Sequence, residues 1–134
     1  MSSEVKLLTA YTGEARKIKE ADDKALLIWV ANGKPYFKKH YWFRGLAPAW
    51  NRIQELKDGT IQWEEFEQIY RDRLETDGTA LYQIEMLVSI LTNEHAWYDK
   101  VYLVCYEKDD THCHRRILKE VLDARLETAL QIDG

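Results

Sequence analysis

Residues Ala25-Leu-Leu-Ile-Trp-Val-Ala31 form an unbroken apolar run of strand length. A strand with one wet face alternates apolar and polar residues. A continuous run belongs to a strand covered on both faces, as in a sheet with helices above and below. Two more segments read as strands. Val5–Thr12 has Leu7, Leu8, Ala10 and Tyr11 at its heart, and Lys100–Glu107 contains Val101-Tyr-Leu-Val-Cys105. Helical segments separate the three. The expected fold is therefore α/β: a small, mostly parallel, Rossmann-like sheet with helices on both faces. At 134 residues the chain reads as a single domain, 1–134, large enough to bury a core.

The helices follow from spacing and stop signals. Gly13–Ala21 is short and rich in Lys and Glu, and Asp22-Asp23 ends it. Ala49–Lys57 precedes Asp58-Gly59, and Thr60 is placed to cap the next helix. There Trp63, Phe66, Ile69 or Tyr70, and Leu74 recur at helical spacing and read as core. Leu81, Ile84, Leu87 or Val88, and Leu91 mark a further helix running to about Ala96. Arg115–Leu130 closes the chain, with Leu118, Val121, Leu122, Leu126 and Ala129 on one stripe. Residues 36–48 read as a long loop crowded with aromatics and bases, and such loops are usually functional.

An open α/β sheet binds its ligand beyond the carboxyl ends of its strands, often against a helix N-terminus. Here that place is the turn from Cys105 to Arg116. It holds both cysteines and two of the four histidines, His112 and His114. Cys113 opens a cationic helix with Arg115 and Arg116, which favours a thiolate. The thiol can be a nucleophile, a ligand contact or a small buried hydrophobe. Arg115 suits phosphate or carboxylate through its planar fork, or else a buried salt bridge to Glu107. His114 and Glu107 can act as an acid–base pair; Glu107 can also hold a ribose hydroxyl or orient Arg115. Cys105 reads as a buried thiol on the strand face of Val101 and Leu103. Zinc is not expected: consecutive side chains at 112–114 diverge, and the Cys-x-x-Cys spacing is absent. No cofactor is expected either.

Thr9, Tyr11 and Gly13 close the first strand on the same rim. Tyr11 can stack on a ligand and Gly13 can admit a close approach. From Lys24 to Gln54 there is no Asp or Glu, in a chain of net charge −4. Lys38, Lys39 and Arg44 are interleaved there with Tyr36 and Trp42, a combination that holds phosphates while stacking bases. No Gly-x-Gly-x-x-Gly or Walker motif is present, so an ordinary dinucleotide or ATP site has no support.

Four blocks resemble a known family, the domain-of-unknown-function family numbered 488 in its short cytosolic form. They are Leu8-Thr-Ala-Tyr-Thr-Gly13, Leu46-Ala-Pro-Ala-Trp50, Lys57-Asp-Gly-Thr-Ile-Gln-Trp-Glu-Glu-Phe66 running on to Tyr70, and Cys105-Tyr-Glu-Lys108 followed by Cys113-His-Arg115. They keep the family's order and span nearly the whole chain. The resemblance implies a Rossmann-like domain with a polar site built from these blocks, and supplies no substrate. Where many members have a Ser- or Thr-rich strand, this chain has Leu27-Ile-Trp-Val30.

The preferred expectation is a module that binds a small, anionic, nucleotide-like molecule. Arg115, Lys38 and Lys39 would hold phosphate, with Tyr11, Tyr36 or Trp42 on the base. An enzyme using Cys113, or His114 with Glu107, is the alternative, and an accessory domain for protein or nucleic-acid contacts is a third. The acidic balance argues against general nucleic-acid coating. The absence of a long apolar stretch argues against a membrane. Two cysteines without a secretory signal suggest a cytoplasmic protein, and a homo-oligomer is compatible with all of this.

Overall fold

The computed structural model describes residues 5–32, 41–106 and 113–133, with side chains of the last helix described as far as Thr128. Glu107, His112, Tyr36, Lys38 and Lys39 lie outside the described residues. Among the described residues four strands form one sheet: β1 (Lys6–Tyr11), β2 (Ala25–Trp29), β3 (Tyr41–Trp42) and β4 (Lys100–Cys105). Their order is β1-β4-β2-β3, and every pairing is parallel. β4 thus lies between the first two strands, with Tyr11 opposite Cys105 and Trp29 opposite Val104. β3 was not legible in advance; two residues carry no period.

Helices cover both faces, as the continuous apolar run requires. In and just after β2, Leu26, Ile28 and Val30 point to one side. There they meet α3 (Trp63–Thr76), α4 (Gly78–Leu91) and α5 (His114–Asp133) through Tyr70, Leu74, Ile84, Leu87, Ile117, Leu118 and Leu122. Leu27, Trp29 and Ala31 point to the other side, under α1 (Thr12–Ala21), which contributes Ala15 and Ile18. That layer is thin because α1 is otherwise charged. α2 (Trp50–Asp58) lies beside α3 and ends on Gly59, whose φ of +83° is a left-handed cap that favours glycine. No helix among the described residues is long and apolar enough to cross a membrane.

Several boundaries differ from the sequence reading. Thr60 does not cap α3: its hydroxyl donates to Asp58 Oδ1 at 2.5 Å, and Gln62 occupies the cap. Asp77 ends α3 and starts α4, accepting from the Ala80 N–H at 3.0 Å, and α4 stops at Leu91 rather than near Ala96.

The amino edge of the sheet is tied by Lys100, whose Nζ donates to Asp22 Oδ2 at 2.7 Å. This bond, with the Lys24 N–H, holds the Asp22 carboxyl below its ordinary 3.8. A carboxylate pKa depressed by folding contributes stability that is present above 3.8 and is lost as pH falls through the folded value. The stability gap between wild type and Asp22→Asn should therefore be constant near neutrality and close in acid. Urea unfolding at stepped pH reads this, and a gap that widens in acid would contradict it.

A buried tie holds the loop before α2. Tyr70 donates from its hydroxyl to the Leu46 carbonyl at 2.6 Å, and both residues are buried. Tyr70→Phe strands that carbonyl, so the unfolding free energy should fall by about 1–3 kcal/mol. Denaturant unfolding checks it; an unchanged midpoint would mean that water or another donor replaces the hydroxyl.

Candidate functional site

A groove of about 690 Å³ opens at the carboxyl edge of the sheet. Ala31 and Asn32, after β2, form part of its floor, with Cys105 and Tyr106 at the end of β4 and Cys113 and His114 at the start of α5. α2 supplies Trp50, Ile53, Leu56 and Lys57 on its wall, and α3 supplies Trp63 and Phe66. The location follows from the topology: β2 and β4 run parallel and end side by side, and the groove opens beyond their carboxyl ends. A smaller cavity of about 430 Å³ lies among Arg52, Phe66, Tyr70 and Arg73.

The floor has defined polar geometry. His114 is 6% exposed, and its Nε2 lies 2.6 Å from the Val30 carbonyl oxygen. A carbonyl only accepts, so Nε2 donates, and in the neutral ring Nδ1 is an acceptor. That atom faces Cys105 Sγ at 3.5 Å and Cys113 Sγ at 4.0 Å. Tyr70 meets the imidazole edge-on, with centroids 5.4 Å apart. Arg115 is 3% exposed and directs Nη1 at Cys113 Sγ, 3.5 Å away. Neither cysteine forms a disulfide.

The sequence suggested a low-pKa thiol at Cys113. The structure points the other way. The neighbouring Cys105 and burial push the Cys113 thiol up, outweighing the lowering effect of His114. Two sulfurs packed together cannot both carry charge cheaply, and the helix start does not compensate.

The expectation that neighbouring side chains at 113 and 114 diverge also fails. Cys113 precedes the first helical residue, so its backbone is not bound to the 100° step of α5. It can therefore turn toward the same point as His114. Cys105 joins them from the end of β4, where it packs with Ala10, Val104 and Cys113.

The other candidates fall into three groups. Cys113 and His114 line the groove. Thr9, Tyr11, Gly13, Trp42, Arg44 and Arg115 are described but are not among its lining residues. Tyr11 ends β1 beside Cys105, and the close approach that Gly13 permits is to the Tyr11 ring, which a Cβ there would strike. Trp42 donates from Nε1 to the Ala31 carbonyl at 2.9 Å, and the Arg44 guanidinium sits 5.7 Å from its ring. Arg115 stands behind Cys113 as a donor to sulfur. Glu107, Tyr36, Lys38 and Lys39 are outside the described residues. Sequence reasoning missed Trp50, Ile53, Leu56 and Lys57. The available signal was that Trp50 and Lys57 each lie in a shared sequence block, at either end of the predicted helix.

No curated protein and no solved structure matches this chain. A family model, DUF488-N3a, described as the active DUF488-N3 subclade, matches residues 11–126. That span runs from the last residue of β1 through the groove walls and both cysteines to cover most of α5. The chain belongs to the DUF488 family.

Proposed function

We propose that this protein binds a small, flat, anionic, nucleotide-like molecule in the groove at the carboxyl edge of its sheet. The observation that carries the reading is the groove itself. Its volume, about 690 Å³, falls within the range of small-molecule sites. Trp50 and Trp63 in its walls are stacking surfaces for a base. Lys57 on the α2 side and the opening turn of α5 supply positive potential for a phosphate. Calorimetric titration against a panel of nucleotides and cyclic nucleotides tests it. Saturable binding of at least one is expected; heat-silent titrations across the panel would refute the proposal.

Turnover of the bound molecule is the second reading. Its support is the His114–Val30 hydrogen bond, which aims Nδ1 at two thiols on the groove floor, and the matched subclade's description as active. Chromatography of ligand recovered after incubation separates the two. Intact ligand favours binding alone, and altered ligand favours catalysis.

A further inference from the structure

We propose that Cys105, Cys113 and His114 form a binding site for a borderline-soft divalent cation, zinc above all, with one coordination position open to the groove. The three ligand atoms lie within 4.8 Å of one another, and all three residues are buried. In a tetrahedral zinc site, metal–sulfur and metal–nitrogen bonds of about 2.3 and 2.0 Å put neighbouring ligand atoms roughly 3.5–3.8 Å apart. Nδ1 already lies 3.5 Å from Cys105 Sγ and 4.0 Å from Cys113 Sγ. The two sulfurs lie within 4.8 Å of each other, so side-chain movements of up to about an ångström complete the geometry.

The surroundings also fit. A ligating imidazole characteristically donates its second N–H to a carbonyl or carboxylate, which fixes the ring. Here Nε2 donates to the Val30 carbonyl at 2.6 Å, so the nitrogen facing the sulfurs is the one with a lone pair. Two thiolates and one imidazole suit zinc better than magnesium or calcium, which take oxygen. The Arg115 guanidinium, 3.5 Å from Cys113 Sγ, offsets part of the thiolate charge. Three protein ligands leave a fourth position, and all three residues line the groove. Protein zinc sites that accept an exogenous ligand or water are built this way, whereas purely structural sites close with a fourth side chain. Binding exchanges both thiol protons for the ion, so it acidifies an unbuffered solution. The site does not depend on the nucleotide proposal, because it is tested with the metal alone.

The experiment titrates reduced, chelator-stripped protein with Co²⁺. The expected result is a thiolate-to-cobalt charge-transfer band with intense tetrahedral d–d absorption, saturating at one ion per chain and displaced by Zn²⁺. His95→Ala, away from the cluster, should keep both signals; Cys105→Ser with Cys113→Ser should lose them. Circular dichroism establishes that each protein is folded. A folded wild type without the charge-transfer band, or a double variant that retains it, would overturn the site. A small thiol added in excess should shift the d–d bands; unshifted bands would overturn the open position.

Discussion

Trp29→Ala is expected to lower the unfolding free energy by about 3–5 kcal/mol. Trp29 is fully buried and pairs with Val104 in the middle of the sheet. Its side chain fills the layer beneath α1, against Leu27, Ala31, Val104 and Cys113. α1 offers only Ala15 and Ile18 from above, so little is at hand to collapse into the space. Since domains of this size are commonly stable by only about 5–15 kcal/mol, the variant should be only marginally folded at room temperature. Urea unfolding reads the loss directly. The same cluster holds Cys105 and Cys113, so thiol-labelling rates should rise in the variant under native conditions. A loss below about 1 kcal/mol would mean that the layer repacks and does not support the site.

Trp50→Ala should do the opposite: leave stability unchanged and weaken ligand binding. The ring is 60% exposed in the groove wall, so truncating it creates no cavity. Surface changes of this kind stay within about 0.5 kcal/mol. Stacking of one base on an aromatic side chain is worth about 1–3 kcal/mol, so affinity should fall roughly 5- to 150-fold. Calorimetry on wild type and variant measures the change. Equal affinities would remove Trp50 from the site.

β1, β2, β4 and the position of the candidate groove were legible because each depends on a local pattern. The apolar run around Trp29 demands cover on both faces, and the strand–turn–helix from Val101 to Arg115 places Cys113 and His114 on the carboxyl rim whatever the remaining packing. What was illegible depends on how distant segments meet. Trp63 and Phe66 lie on a stripe that reads as core, and Phe66 is buried while Trp63 packs against the core; that both also border the groove depends on where α2 sits, which spacing along α3 does not contain. Arg115 carries the residue type of an anion contact, but its place in the first turn of α5 sends the guanidinium to Cys113 sulfur. The convergence of Cys105 with Cys113 and His114 needs the register of β4 against the start of α5, which spacing along the chain does not contain. β3 owes its two paired residues to β2 rather than to any preference of its own.

The central claim is that the carboxyl-edge groove is where this protein meets its ligand. Backbone amide chemical-shift mapping with the tightest-binding nucleotide of the panel tests it most directly. The amides of Asn32, Trp50, Lys57, Trp63, Tyr106 and His114 should shift together and saturate along one binding curve. Shifts gathered at Arg52, Arg73 and Thr76, around the smaller cavity, would contradict the claim, as would no saturable shift at any amide.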